Sequence, residues 1–252
     1  MARVALALCL GLLVSCADNP YVIGRVVDAS VDAAPPEPDA GPSYCPAGAL
    51  FCSGFEAQEV AEGWSSTSII LDAVLERTTA RVHSGGGALR AESRGRDSAA
   101  VVAHALAPLR SGSLYVRAYL YVAAALPTET MNIFFIGADP ADPFIGIDLN
   151  LQGGAVQMFS PQSDPSRVTG PLAIARDQWV CFRIEVAIAD SGGAVRVHAD
   201  DALVLEVIDI DTLSTDGIRL FRAGIDWSSE QDAFFEIFMD DIALGTSPIA
   251  CD

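Results

Sequence analysis

From Tyr44 to Asp252 the chain runs in short stretches where apolar and polar residues alternate, punctuated by Gly, Pro, Asp and Ser, and no amphipathic helical pattern persists. Alternation of period two is the mark of a strand with one face buried and the other wet. It predicts strands over Ser113–Val122, Met131–Ile136, Ile145–Gln152, Trp179–Ile188, Ala194–Ala199, Leu203–Val207, Ile218–Ala223 and Ala233–Leu244. Turn chemistry separates them at Ser84-Gly85-Gly86-Gly87, Gly153-Gly154, Asp190-Ser191-Gly192-Gly193 and Asp200-Asp201. Many short strands without long helices bury their apolar faces by stacking two sheets. The expected fold is therefore all-β, a two-sheet antiparallel sandwich or jelly roll forming one domain over residues 44–252. A hydrophobic content of 51% supplies the core.

The surface charge narrows the function classes. Asp and Glu number 33 against 15 basic residues, all of them Arg, for a formal charge of −18. Such a chain does not neutralise a row of phosphates, so nucleic acid is excluded as a partner, and so is docking on an anionic membrane by a basic patch. With no Lys in the sequence, Schiff-base chemistry and the P-loop lysine are excluded too.

Met1-Ala2-Arg3 and the eleven apolar residues Val4–Val14 have the charge and length of a signal peptide rather than a membrane span. Leu13-Val14-Ser15-Cys16 resembles a bacterial lipobox, so residues 1–15 are expected to be removed and Cys16 lipidated, anchoring the chain to the cell-envelope membrane. Residues 16–43, rich in Asp, Ala and Pro, lack the apolar surface to offset chain entropy and read as an acidic disordered tether.

Cys45, Cys52, Cys181 and Cys251 remain for two disulfides, with three pairings open; proximity favours Cys45–Cys52 and leaves Cys181–Cys251 to staple the C-terminus. A zinc site is disfavoured, because no Cys-x-x-Cys occurs and no His accompanies these positions.

Candidate ligand residues lie on two polar stripes. Tyr115, Arg117, Tyr119 and Tyr121 alternate with Leu114, Val116, Ala118, Leu120 and Val122, while Asp148, Asn150 and Gln152 alternate with Ile147, Leu149 and Leu151. Aromatic faces stack on sugar rings, and Asp, Asn, Gln and Arg pair with vicinal hydroxyls, so a groove combining both stripes suits an oligosaccharide. Arg222, Asp226 and Trp227 are candidates for the same cleft. His83 and His104 read as turn or strand-end residues and His198 as a hairpin residue.

Leu50-Phe51-Cys52-Ser53-Gly54-Phe55-Glu56 with Gly63-Trp64, Val82-His83-Ser84-Gly85-Gly86-Gly87-Ala88-Leu89-Arg90, Gln178-Trp179-Val180-Cys181 and Met239-Asp240-Asp241-Ile242-Ala243-Leu244 come in an order that resembles the concanavalin A-like lectin/glucanase superfamily, in particular its laminin G-like bacterial envelope proteins. The resemblance covers nearly all of residues 50–250 and implies a lectin, a hydrolase or a lyase. It also implies a structural calcium tying the first strand to the last, carried over to Glu56, Gly86 and Asp240, with Asp241 as alternate. The glucanase members carry Glu-x-Asp-x-Glu on one strand; here the analogous strand reads Asp148-x-Asn150-x-Gln152, one carboxylate where hydrolysis needs two. No lyase-like Arg-x-Glu-x-Arg, Gln-x-His or Tyr-Phe-Lys segment and no Gly-x-Ser-x-Gly elbow occurs. The expected function is an envelope lipoprotein that binds glycan or another extracellular polymer without cleaving it. A lyase or hydrolase with a non-standard site, and a structural protein of the envelope that contacts other proteins, are the alternatives.

Overall fold

The computed structural model describes residues 45–123, 128–139, 142–171, 177–229 and 234–251, which belong to one unit. The expected signal peptide and tether, with Cys16, lie outside these residues. Strands and turns account for the described chain, with no helix among the described residues.

Two antiparallel sheets form the domain. The first orders its strands β13 (Ala202–Ile210), β12 (Gly193–Ala199), β11 (Trp179–Ile188), β6 (Gly112–Val122), β15 (Phe234–Gly245), β4 (Ala88–Arg94) and β3 (Val74–Thr78), with β1 (Phe51–Ser53) also paired to β15. The second orders β10 (Arg167–Pro171), β9 (Ala155–Phe159), β8 (Asp142–Gln152), β7 (Met131–Asp139), β14 (Ile218–Ser228), β5 (Ala99–Leu109) and β2 (Ser66–Ile70). The alternation read from the sequence sets the packing. Leu114, Val116, Ala118, Leu120 and Val122 of β6 and Val180, Phe182, Ile184, Val186 and Ile188 of β11 meet Ile147, Leu149 and Leu151 of β8 and Phe221, Ala223 and Ile225 of β14 in one core.

The predicted strands are all present, with ends shifted by a few residues. Seven others gave a weaker signal. In β5 the core-facing Ala100 and Val102 alternate with Val101 and Ala103, which are equally apolar, so no alternation shows. His104 sits inside β5, not at its end, stacked on Phe51 with centroids 3.8 Å apart, and its burial lowers its pKa.

In β15 the ladder with β6 shifts register between Asp240 and Ala243, where Asp241 takes a φ of +48°. That β-bulge lets Phe235, Ile237 and Met239 before it, and Ile242 and Leu244 after it, all reach the core. Asp is among the few residues that tolerate a left-handed backbone. The two carboxylates turn instead toward the loop before β4.

Candidate functional site

The outer face of the second sheet carries a cleft of about 680 Å³, within the range of small-molecule sites. Strand register aligns the residues in and beside it in two rungs. The first runs Ser66, Ala103, Arg222, Phe135, Asp148, Phe159, Arg167 across all seven strands. The second runs Trp227, Asn132, Asn150, Gln157, Thr169 from β14 to β10. Residues on one rung of a sheet lie roughly 5 Å from their neighbours, so each rung is a row of adjacent side chains.

The second rung is a band of amides. Asn132, Asn150 and Gln157 are 5%, 4% and 3% exposed. The Gln157 amide donates to Gln152 Oε1 at 2.7 Å and to Thr169 Oγ1 at 3.4 Å, while its own oxygen and Asn132 Oδ1 have no hydrogen-bond partner among the described residues. Buried carbonyl oxygens left without donors carry a free-energy cost that a ligand bringing hydroxyl donors relieves. Beside this band Trp227 is 42% exposed, and its indole N–H donates to Asp97 Oδ1 at 2.8 Å.

Charges sit on and beside the first rung. Arg222 Nη1 donates to both carboxylate oxygens of Asp226, at 3.0 and 3.3 Å, and its guanidinium lies 5.2 Å from the centre of the Phe135 ring. Arg167 stands over Phe159 at 5.1 Å. Burial pushes the Asp148 carboxyl up to about 7, with the Asp226 charge adding to the rise, and the Asn132 hydrogen bond and Arg222 opposing it. Asp240, in the bulge of β15, is also raised to about 7, by burial first and by Asp241 second.

A carboxyl with a higher pKa folded than unfolded takes up a proton on folding. The stability that follows is complete below the ordinary carboxylate value of 3.8 and is lost as pH rises to about 7, with a level plateau above. Asp148→Asn keeps the neutral form at every pH and is expected to remove roughly 2 to 4 kcal/mol of that decline. Urea unfolding of the wild type and the variant at pH 4.5 and 7.5 measures it; equal declines in both chains would contradict the assignment.

The sequence placed two stripes in one groove, and the structure separates them. Asp148, Asn150 and Arg222 line the cleft, joined by Asp226 and Trp227, and Gln152 supports Gln157 at its end. Tyr115, Arg117, Tyr119 and Tyr121 belong to β6, in the other sheet, and face away from the core on the opposite side of the sandwich. There they hold the protein's own segments. Tyr115 donates to Glu185 Oε1 at 3.5 Å, Tyr119 stacks under His83 at 3.5 Å, and Tyr121 donates to Asp177 at 3.2 Å and accepts from Arg81. Arg117, only 2% exposed, donates to the carbonyls of Asp241 and Ala250, both at 3.3 Å. Alternation tells which residues of a strand share a face; it does not tell which sheet the strand joins.

The positions expected to hold calcium meet at one loop as a hydrogen-bonded clasp. Both Glu56 oxygens accept from Gly86 N–H, at 3.0 and 2.9 Å; Asp240 Oδ2 accepts from the N–H of His83 and Ser84; Asp241 Oδ1 accepts from Ser84 Oγ, and its Oδ2 lies 2.7 Å from His83 Nδ1. These oxygens accept from the loop's own donors, and among the described residues no three His, Cys, Asp or Glu side chains gather as a metal site. Ser84 donates to Asp241 and not to His83, so these three residues are not a nucleophilic triad either.

Cys45–Cys52 and Cys181–Cys251 are both bonded, with Cα separations of 5.5 and 6.1 Å, the pairing that chain position favours. Two disulfides fit an oxidising compartment outside the cytoplasm.

No family model matches the sequence, and no curated protein does. Solved structures do resemble the fold. The endo-beta-1,4-glucuronan lyase from the fungus Trichoderma reesei superposes with a TM-score of 0.64 at 16% identity over 79% of this chain and 96% of its own. The cellulose induced protein Cip1 gives 0.64 at 15% over 80% and 100%, and a carbohydrate esterase from Shiga toxin-encoding bacteriophage phi24B gives 0.55 at 13% over 78% and 97%. At such identities the likeness carries the architecture alone: the chain folds as a concanavalin A-like sandwich of two antiparallel sheets.

Proposed function

We propose that the cleft on the second sheet binds a glycan, and that the chain is an envelope lipoprotein anchored through Cys16. The reading rests on one observation above the others: two buried amide oxygens without donors, Asn132 Oδ1 and Gln157 Oε1, lie on one rung with an exposed tryptophan. Sugars bring what this surface lacks, hydroxyl donors for the amide band and an apolar ring face for Trp227. The names of the similar folds, a glucuronan lyase, a cellulose induced protein and a carbohydrate esterase, support carbohydrate as the ligand class. No Tyr or His stands among the described residues lining the cleft, so the side chains that serve lyases as a base are missing from its wall.

One observation favours a second reading. The sequence offers a single carboxylate in the segment Asp148-x-Asn150-x-Gln152, but the fold brings Asp226 from β14 into the cleft beside Asp148. Two carboxyls in one cleft, one of them raised by burial, are the elements of glycoside hydrolysis. A glycan array on the purified chain, followed by reducing-end assays on each polymer bound, separates the readings. Binding without new reducing ends supports the lectin; release of reducing ends without unsaturated uronates moves the chain to the hydrolases; and absence of binding would overturn both. The anchor is read by palmitate labelling that reaches the wild type and not Cys16→Ala.

A further inference from the structure

The turn between β4 and β5 crosses from the first sheet to the second and meets the end of β14. Hydrogen bonds join them. Asp97 N–H donates to Ser228 O at 2.9 Å, Arg96 Nε donates to Ser229 O at 3.2 Å, and Trp227 Nε1 donates to Asp97 Oδ1 at 2.8 Å. The first two fix the turn on the strand, and the third reaches from the turn to the indole. Just before Trp227 the ladder between β14 and β7 shifts register, between Ala223 and Trp227, and regular pairing resumes only at Trp227 with Asn132. An indole that is 42% exposed, on a strand of disturbed register, keeps several rotamers open unless its N–H is held.

We infer that Asp97 is the positioning residue of the cleft's aromatic platform, holding the Trp227 ring by its N–H so that the face offered to a sugar is set before ligand arrives. The inference rests on the glycan-binding reading of the cleft. Asp97 touches no ligand in this account; it acts through Trp227. A ring fixed in advance loses no rotamer freedom on binding, and that saving appears as affinity. The backbone at Asp97 has a φ of +61°, a conformation open to Asp, Asn and Gly and strained for most other side chains. An acidic residue in this turn therefore satisfies two demands at once, a left-handed backbone and an acceptor aimed at the indole.

Two substitutions separate these demands. Asp97→Asn keeps the left-handed tolerance and an oxygen acceptor, whereas Asp97→Gly keeps the backbone and removes the acceptor. The heteronuclear NOE of the Trp227 indole N–H reports the ring without ligand: it is expected to stay at the rigid level in the wild type and Asp97→Asn and to fall in Asp97→Gly. Affinity electrophoresis through gels carrying hydroxyethyl cellulose, laminarin, xylan or polyglucuronate reads the consequence, with Asp97→Gly weakening retention about three- to tenfold and Asp97→Asn leaving it near wild type. An indole as rigid in Asp97→Gly as in the wild type would overturn the inference, as would full retention of Asp97→Gly on a polymer that Trp227→Ala no longer binds. If none of these polymers retains the wild type, the glycan reading is what loses support, and the NOE alone decides the role of Asp97.

Discussion

Trp227→Ala is expected to lower affinity for a glycan that the wild type binds by about tenfold to a hundredfold while leaving the fold intact. Exposed tryptophans that anchor a ligand are typical hot spots, at about 1.4 kcal/mol for each tenfold change. Trp227 belongs to no core cluster and its ring is 42% exposed, so its truncation removes the platform without opening a core cavity. Isothermal titration with the bound oligosaccharide measures the loss. Tyr115→Phe is the control: its hydroxyl reaches Glu185 on the outer face of the opposite sheet, and its removal is expected to leave affinity unchanged. Equal affinity in Trp227→Ala and the wild type would remove the aromatic platform from the account.

The second large effect is on stability. Cys181–Cys251 closes a loop with a sequence separation of 70, against 7 for Cys45–Cys52. Loop-closure entropy gives the long loop about 4 kcal/mol and the short one about 2. Beyond the entropy, the native geometry uses the long bond. The tail leaves β15 and passes over the outer face of β6, where Arg117 donates to Ala250 O, and reaches Cys181 on β11. Cutting that staple frees the tail and leaves a buried guanidinium with fewer acceptors. The double variant Cys181→Ala/Cys251→Ala is expected to melt roughly 8 to 16 °C lower than the wild type by calorimetry. Opening Cys45–Cys52 is expected to cost about half as much, and a reversed order would show that the tail is held without its disulfide.

These outcomes trace what the sequence makes legible. The core faces of β6, β8 and β11 follow from alternation alone, because a half-buried strand states its own two sides. Which strands share a sheet is settled by pairing between residues far apart in the chain, so nothing local to β6 or β8 shows that they belong to different sheets. Tyr119 and Arg117 carry the same alternation as Asp148 and Asn150, yet they cover and anchor the protein's own loop and tail. The amide band was legible in part. Asn150 and Gln152 stand on one stripe, but Asn132 stands just before a register shift in β7 and Gln157 on a strand whose short run gives little signal. Asp226 and Trp227 were visible only as residue types, since the register shift in β14 decides that both line the cleft. Glu56, Asp240 and Asp241, carried over as calcium ligands, lie around the loop before β4 and accept there from its N–H and hydroxyl donors.

The most direct test of the central claim is to map the bound glycan by chemical-shift changes across the backbone and side-chain amides. Binding at the cleft predicts shifts at the Trp227 indole and at the side-chain amides of Asn132, Asn150 and Gln157, with the first sheet unmoved. Shifts gathered instead at Trp179, Tyr119 and Tyr121 on the opposite face would contradict it.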